Sequence, residues 1–172
     1  MSNQARVTSN DNDASAWSER RPSEIVAFIL NRFHEPLHRE LPALVAHARM
    51  VEQAAHGEPL CPGGIGDHLE QVQLALDGHL AKEERILFPL ILAGRGRAAF
   101  MPIKVMMAEH GDHASSLLRT RELTHDFRLP AGAASEWRAL YLDLERFETE
   151  LHVHIALEND VLFPRVLGGD DS

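Results

Sequence analysis

The segment HLAKEERILFP, which begins at His79, and the segment HIALENDVLFP, which begins at His154, share one pattern. Each has a histidine, a glutamate four residues later, and then Leu-Phe-Pro at a fixed offset. Residues four apart project from one face of an α-helix, so His79 with Glu83 and His154 with Glu158 form two preset donor pairs. Imidazole and carboxylate together suit iron or manganese. Surface His–Glu contacts are the alternative, but two matching copies within apolar sequence favour a metal site.

Apolar residues recur at spacings of three and four around both segments, and this period predicts long helices. The predicted ranges are about 23–56, 67–92, 102–127 and 135–167, separated by three connectors. Pro36 and Pro42 predict a kink in the first helix, Pro89 predicts a distortion late in the second, and Pro102 suits the first turn of the third. Long helices with short connectors predict an all-α, up-down-up-down four-helix bundle.

Length and composition bound the remaining possibilities. The 172 residues fit one domain, and we expect a disordered or loosely ordered arm at 1–22, the bundle at 23–168 and a tail at 169–172. A net charge of −9 argues against nucleic acid or an anionic membrane as a partner. The single cysteine, Cys61, excludes an internal disulfide. With no signal peptide and no transmembrane stretch expected, the chain is predicted to be cytoplasmic.

Eleven histidines exceed ordinary usage, and their placement allows a site at one level of the bundle. At about 1.5 Å per residue, His79 lies roughly 20 Å from the first connector and His154 roughly 28 Å from the third. His34 and His110 are the histidines near that same end on the other two helices. The predicted metal ligands are therefore His34, His79, Glu83, His110, His154 and Glu158. This set suits two iron ions, bridged by the carboxylates and by oxide or hydroxide.

The other histidines are predicted to play smaller parts. His113 follows His110 by three residues and is either a fifth imidazole ligand or a polar neighbour of the site. His56 lies roughly 33 Å from His34 along a straight helix and should not reach the centre. The rest are interpreted as surface or supporting residues: His38, His47, His68, His125 and His152.

Several longer stretches make the chain recognisable. They are RFHEPLHRELPAL (32–44), HGEPLCP (56–62), HLAKEERILFP (79–89), PIKVMMAEH (102–110), EWRALY (136–141) and HIALENDVLFPR (154–165). With them, the chain resembles the hemerythrin-like di-iron proteins, and within them the repair-of-iron-centres family. The resemblance implies a non-haem di-iron site whose ligands map onto the same six residues. Residues 1–22 do not match the small N-terminal domain, with paired cysteines, that is usual in that family.

The resemblance implies a role in restoring iron–sulfur clusters damaged by nitric oxide or oxidants, either by iron donation or by nitric oxide reduction. The expected partners are therefore damaged iron–sulfur proteins or small diatomic ligands, oxygen and nitric oxide. The alternative function is hemerythrin-type binding or sensing of oxygen or nitric oxide without catalysis. A helical module with a degenerate site is a third hypothesis, which the intact ligand positions disfavour. No catalytic residue is assigned, and whether the protein is an enzyme stays open.

Overall fold

The computed structural model describes Trp17 and residues 20–169, so most of the predicted arm and residues 170–172 lie outside the described residues. Within the described part there are four long helices, α1–α4, and no β-strand, which confirms the all-α up-down-up-down bundle. Helix α1 comprises Pro22–Ile29, Leu30–His34 and Glu35–Ala54, α2 comprises Ile65–Lys82, Glu83–Leu87 and Phe88–Leu92, α3 is Gly96–Leu123, and α4 comprises Ser135–Ala156, Leu157–Leu162 and Phe163–Gly168. None of the helices in this part combines the length and the apolar content that a membrane span requires.

Wide π-helical turns interrupt α1, α2 and α4 just ahead of a proline. In each turn the amide before the proline donates to the carbonyl five residues back: Glu35 to Leu30, Phe88 to Glu83 and Phe163 to Glu158. Proline clashes with the carbonyl four residues back in a regular helix, and a wide turn shifts that carbonyl away. The distortion expected at Pro89 thus takes this form.

Two other prolines lie within helices. Pro42 lies inside the regular helix Glu35–Ala54. Helix α3 begins at Gly96 rather than at Pro102, so this proline sits inside the helix. The arginine- and alanine-rich segment before Pro102 has no apolar period, which hid these first turns from the sequence analysis.

Three apolar clusters lie at successive levels of the bundle, and each draws on several helices. The first, called the site-end cluster, contains Ile25, Val26, Ile29, Phe33, Leu87, Phe88, Ile91, Ala99, Ile103, Met106, Leu157, Val161, Leu162, Phe163 and Val166. The middle cluster contains Leu41, Val72, Leu76, Leu117, Phe147 and Leu151. The far cluster contains Val45, Ala48, Val51, Ala55, Ile65, Leu69, Trp137, Leu140, Tyr141 and Leu144. The predicted ligands fall between the site-end and middle clusters along α1, α2 and α3, and on α4 His154 does so while Glu158 lies among residues of the site-end cluster.

Candidate metal centre

All six predicted ligands lie together in one buried polar layer. His34 closes the π turn of α1, Glu83 opens that of α2, and Glu158 lies within that of α4. His79 and His154 each stand one α-helical turn before their glutamate, as the repeated pattern predicts. His110 faces them from α3. Each of the six is at most 3% exposed.

The six side chains form two groups of four that share both glutamates. One group is His34, Glu83, His154 and Glu158, and the other is His79, Glu83, His110 and Glu158. In each group the candidate ligand atoms all lie within 4.8 Å of one another. Two ions placed here would each have two imidazoles, with both carboxylates between them. Their role as ligands stays a prediction.

Each carboxylate directs one oxygen to each group. Oε2 of Glu83 lies 3.3 Å from Nε2 of His34, and its Oε1 lies 3.4 Å from Nε2 of His79. Oε1 of Glu158 lies 3.2 Å from Nε2 of His154, and its Oε2 lies 3.1 Å from Nε2 of His110. Within a group the two Nε2 atoms also converge, at 3.3 Å for His34 with His154 and 3.2 Å for His110 with His79. This split of oxygens is the arrangement that bridging carboxylates need.

Burial sets the protonation states in the layer. Desolvation, helped by neighbouring imidazoles, lowers the pKa of His34 and of His79 from 6.5 to about 4, so both rings are neutral at pH 7. Neutral imidazole is the form that binds metal. Burial and the nearby Glu158 raise the pKa of Glu83. Burial would also raise the pKa of Glu158, but His154 and His110 hold that pKa below its usual value.

The residues present fit a pair of cations. Both oxygens of Glu83 are buried without a hydrogen-bond donor from the described part of the chain. A buried carboxylate left unpaired costs several kcal/mol, and a bound cation offsets that cost. Four convergent imidazole nitrogens and two carboxylates also match the donors that iron takes in helical bundles. The only cysteine of the chain, Cys61, packs against the far cluster, so it brings no thiolate to the layer.

Three of the four imidazoles are held from behind by a hydrogen bond at Nδ1. His34 donates to Oε1 of Glu84 at 2.9 Å, His79 donates to Oε2 of Glu109 at 3.0 Å, and His110 donates to Oδ1 of Asn159 at 2.9 Å. Such bonds fix the tautomer and orientation of a metal-binding ring. Three acceptors were not among the residues predicted from the sequence: Glu84, Glu109 and Asn159. Each stands next to a predicted ligand in the chain, which is the signal that could have found them.

The remaining histidines divide as their positions suggest. His113 is buried with its ring centre 4.9 Å from that of His79, but it belongs to neither group of four, so it is a polar neighbour of the site in this structure. His38 is a supporting residue, because its Nε2 lies 3.3 Å from Glu84. His68 pairs with Thr120, away from the layer. His56 is exposed just beyond the last turn of α1 and lies outside both groups.

Comparison with known proteins agrees with the geometry. Residues 27–166 match the family described as the hemerythrin HHE cation binding domain. The chain is 41% identical over 165 residues to the iron-sulfur cluster repair protein YtfE of Pectobacterium carotovorum, covering 96% of this chain and 75% of that protein. It is 41% identical over 164 residues to the YtfE of Edwardsiella ictaluri, covering 95% and 74%. It is 42% identical over 154 residues to the YtfE of Dickeya chrysanthemi, covering 90% and 70%.

Proposed function

Because this chain belongs to the hemerythrin HHE cation-binding family, and within it to the iron–sulfur cluster repair proteins, we propose that it helps to restore damaged iron–sulfur clusters. The work would be done through a non-haem di-iron centre during nitric oxide or oxidative stress. Damaged iron–sulfur proteins would be its partners. A cytoplasmic location stays a prediction.

The observation that carries the proposal is the pair of four-residue groups that share Glu83 and Glu158. Two irons held there would supply a redox-active, exchangeable metal pair able to bind small diatomic ligands. The chain's own residues supply the rest. Neutral His34 and His79 offer lone pairs at pH 7, and the apolar clusters on either side keep bulk water from the layer.

Iron donation gives the direct test. The protein is loaded anaerobically with ferrous iron, separated from free metal and mixed with an apo-protein that assembles a [4Fe–4S] cluster when given sulfide. We expect cluster absorbance to appear in the acceptor while iron leaves the donor. A His79→Ala/His154→Ala double variant is the matched control. Wild-type protein that gives up no more iron than this control contradicts iron donation.

Two further experiments distinguish nitric oxide reduction and oxygen binding from iron donation. Nitric oxide added to the ferrous protein tests reduction, with nitrous oxide measured in the headspace. Oxygen added and then removed tests reversible binding. Nitrous oxide without iron transfer supports repair by nitric oxide removal. Reversible oxygenation with neither of those activities would replace the proposal by the hemerythrin-type binder.

The bridging role of the glutamates has a test of its own. Glu83→Gln and Glu158→Gln remove one charge each and keep the side-chain shape, so circular dichroism should still report a helical bundle. With iron loaded, Mössbauer and EPR spectra should lose the magnetic coupling of a bridged pair. Glu145→Gln, at an exposed position of α4, should keep it. Coupling unchanged in both buried variants would show that neither glutamate bridges.

A further inference from the structure

The two metal groups are built from matching parts of the bundle, but those parts are not identical. Helix α3 supplies His110 as α1 supplies His34, and α4 supplies Glu158 as α2 supplies Glu83. His34 and His110 are the ligands whose helices supply no glutamate to the centre. The residue just before each of these histidines, and the residue just after each glutamate ligand, therefore occupy matching positions around the centre. These positions differ: Phe33 against Glu109, and Glu84 against Asn159.

Within residues 20–169, the first difference leaves one imidazole without a hydrogen-bond acceptor at Nδ1. Glu109 accepts the Nδ1 proton of His79 and is itself paired with the ammonium of Lys82. At the matching place Phe33 lies flat against the His154 ring, with ring centres 5.0 Å apart and planes 7° from parallel. Nδ1 of His154 is buried with no hydrogen-bond acceptor among the described residues. Stacking restrains the ring's plane but gives its N–H no partner.

The second observation concerns access from solvent. An open groove of about 880 Å³ runs between α1 and α4, and its lining includes Arg32, Phe33, Leu37, Phe147 and Glu150. Phe33 therefore contacts both the groove and the His154 ring. Arg32 pairs with Glu150 at 2.7 Å on the groove's wall. The group with the unanchored imidazole is thus the group that this groove approaches.

We propose that the two iron positions are inequivalent, and that the position held by His34 and His154 is the exchangeable one, emptied past Phe33 toward the groove. The other position, held by His79 and His110, retains its ion, because both of its imidazoles are anchored at Nδ1. Glu109 and Phe33 act as positioning residues. The inference rests on the proposed function, since it identifies which ion would be donated.

The physical basis is the effect of an outer hydrogen bond on a metal-binding imidazole. An acceptor at Nδ1 holds the ring in the binding orientation and raises the basicity of the other nitrogen, and its loss weakens metal binding by about 10–100-fold. Among the described residues His154 has no such acceptor, whereas His79 has a carboxylate held by a cation. Dissociation from the two positions should therefore differ by about one to two orders of magnitude.

Chelation kinetics test the proposal in solution. Protein loaded with ferrous iron is mixed anaerobically with a coloured chelator, and iron release is followed by absorbance. We expect two phases of equal amplitude. Anomalous X-ray diffraction from crystals soaked briefly in chelator should show iron lost beside His34 and His154 and kept beside His79 and His110. Loss from the other position first, or equal loss from both, overturns the proposal.

Two variants change one position at a time. Glu109→Gln weakens the anchor of His79 and should speed the slow phase by about 10–100-fold without changing the fast one. Glu122→Gln, at an exposed site on the same helix, should change neither. A general loosening of the bundle would speed both phases, so a gain confined to the slow phase separates positioning from a merely structural role.

Phe33→Glu is the converse variant, because it places a carboxylate where Glu109 stands in the matching half. It should slow the fast phase toward the slow one, whereas Phe33→Leu should not slow it. If Phe33→Glu does not fold, Glu109→Gln still decides the matter. Two-phase release at the stated positions with no transfer to an apo-cluster protein would refute the proposed function alone. Transfer with single-phase release would refute this inference alone.

Discussion

The far cluster and the metal layer are both buried, but they contribute to the protein in opposite ways. In the far cluster Ile65, Leu69 and Leu140 are fully buried apolar side chains on regular α-helices, and their burial stabilises the fold. The metal layer buries titratable groups next to wide turns, and no residue in the described part of the chain donates a hydrogen bond to Glu83. Apolar contacts outside the layer therefore hold the bundle together and fix the ligands in place. Folding and metal binding should then respond to different substitutions.

The largest expected effect is on metal content. Wild-type protein should bind about two irons per chain, because two groups of donors are present. His79→Ala or His154→Ala should lower this to about one or fewer, since each removes a ligand from one group. Metal analysis after gel filtration measures the ratio. His152→Ala, exposed on α4, and His56→Ala should retain the wild-type ratio. An unchanged iron content in both ligand variants would show that this layer is not the metal-binding site.

The next largest effect is on the stability of the protein, when a side chain of the far cluster is shortened. Leu140→Ala leaves a cavity in the far cluster and should lower the free energy of unfolding by roughly 2–5 kcal/mol. The folded fraction should keep its iron. Urea unfolding followed by circular dichroism measures the loss. Leu142→Ala, at a position 66% exposed on the same helix, should change stability by less than about 0.5 kcal/mol. Loss of iron from folded Leu140→Ala protein would show that the two regions are coupled.

Acid should destabilise the metal-free protein through the layer. The pKa of His34 and of His79 is about 4 in the folded chain against 6.5 ordinarily, so between these values the unfolded chain binds more protons. Stability therefore falls as pH drops from 6.5 to 4, by up to roughly 3 kcal/mol per ring. The raised pKa of Glu83 acts in the opposite direction, because the folded chain then binds the extra proton.

Urea unfolding with a chelator present, at several pH values between 7 and 4, measures this dependence. Glu83→Gln removes the opposing contribution, so its decline in acid should be steeper than that of wild-type protein. His34→Asn removes the contribution of one histidine, so the free energy of unfolding should fall less as the pH drops. A decline that is the same in all three proteins would place the acid sensitivity outside the metal layer.

The smallest effect lies in the connector before α2. Gly64 has a φ of +85°, a conformation that disfavours a side chain, so Gly64→Ala should cost about 1 kcal/mol. Gly78 gives the contrast: it is exposed within α2, and an added Cβ there would meet no other atom within 4 Å, so Gly78→Ala should stabilise by about 0.5–1 kcal/mol. Thermal unfolding measures both. Neither substitution should alter the iron content. An altered iron content in either variant would show that metal binding also depends on this part of the chain, outside the metal layer.

Sequence alone predicted the bundle, and it selected the six residues that the structure brings together, because helical period and the His–Glu spacing are local features. It did not predict the π turns, since proline is compatible with either a kink or a widened turn. It also left His113 open, because three-residue spacing fixes a face but not the distance to an ion. The roles of Glu109 and Phe33 depend on the imidazole that each contacts, on α2 and α4 respectively, and the sequence of a single helix does not reveal those contacts.

The π turns also make the distance along the chain matter more than the identity of the intervening side chains. Each turn carries one residue more than a regular helix would, and the interval from glutamate to proline is the same in both copies, Glu83 to Pro89 and Glu158 to Pro164. A helix advances about 100° per residue. Four residues of regular helix turn through about the angle that five cover in the wider π turn, so deleting exposed Ile86 would keep Phe88 on its face of α2. It would instead bring the ring of Pro89 against the carbonyl of Glu84, which the deletion places four residues back. Exchanging Ile86 for another residue would not.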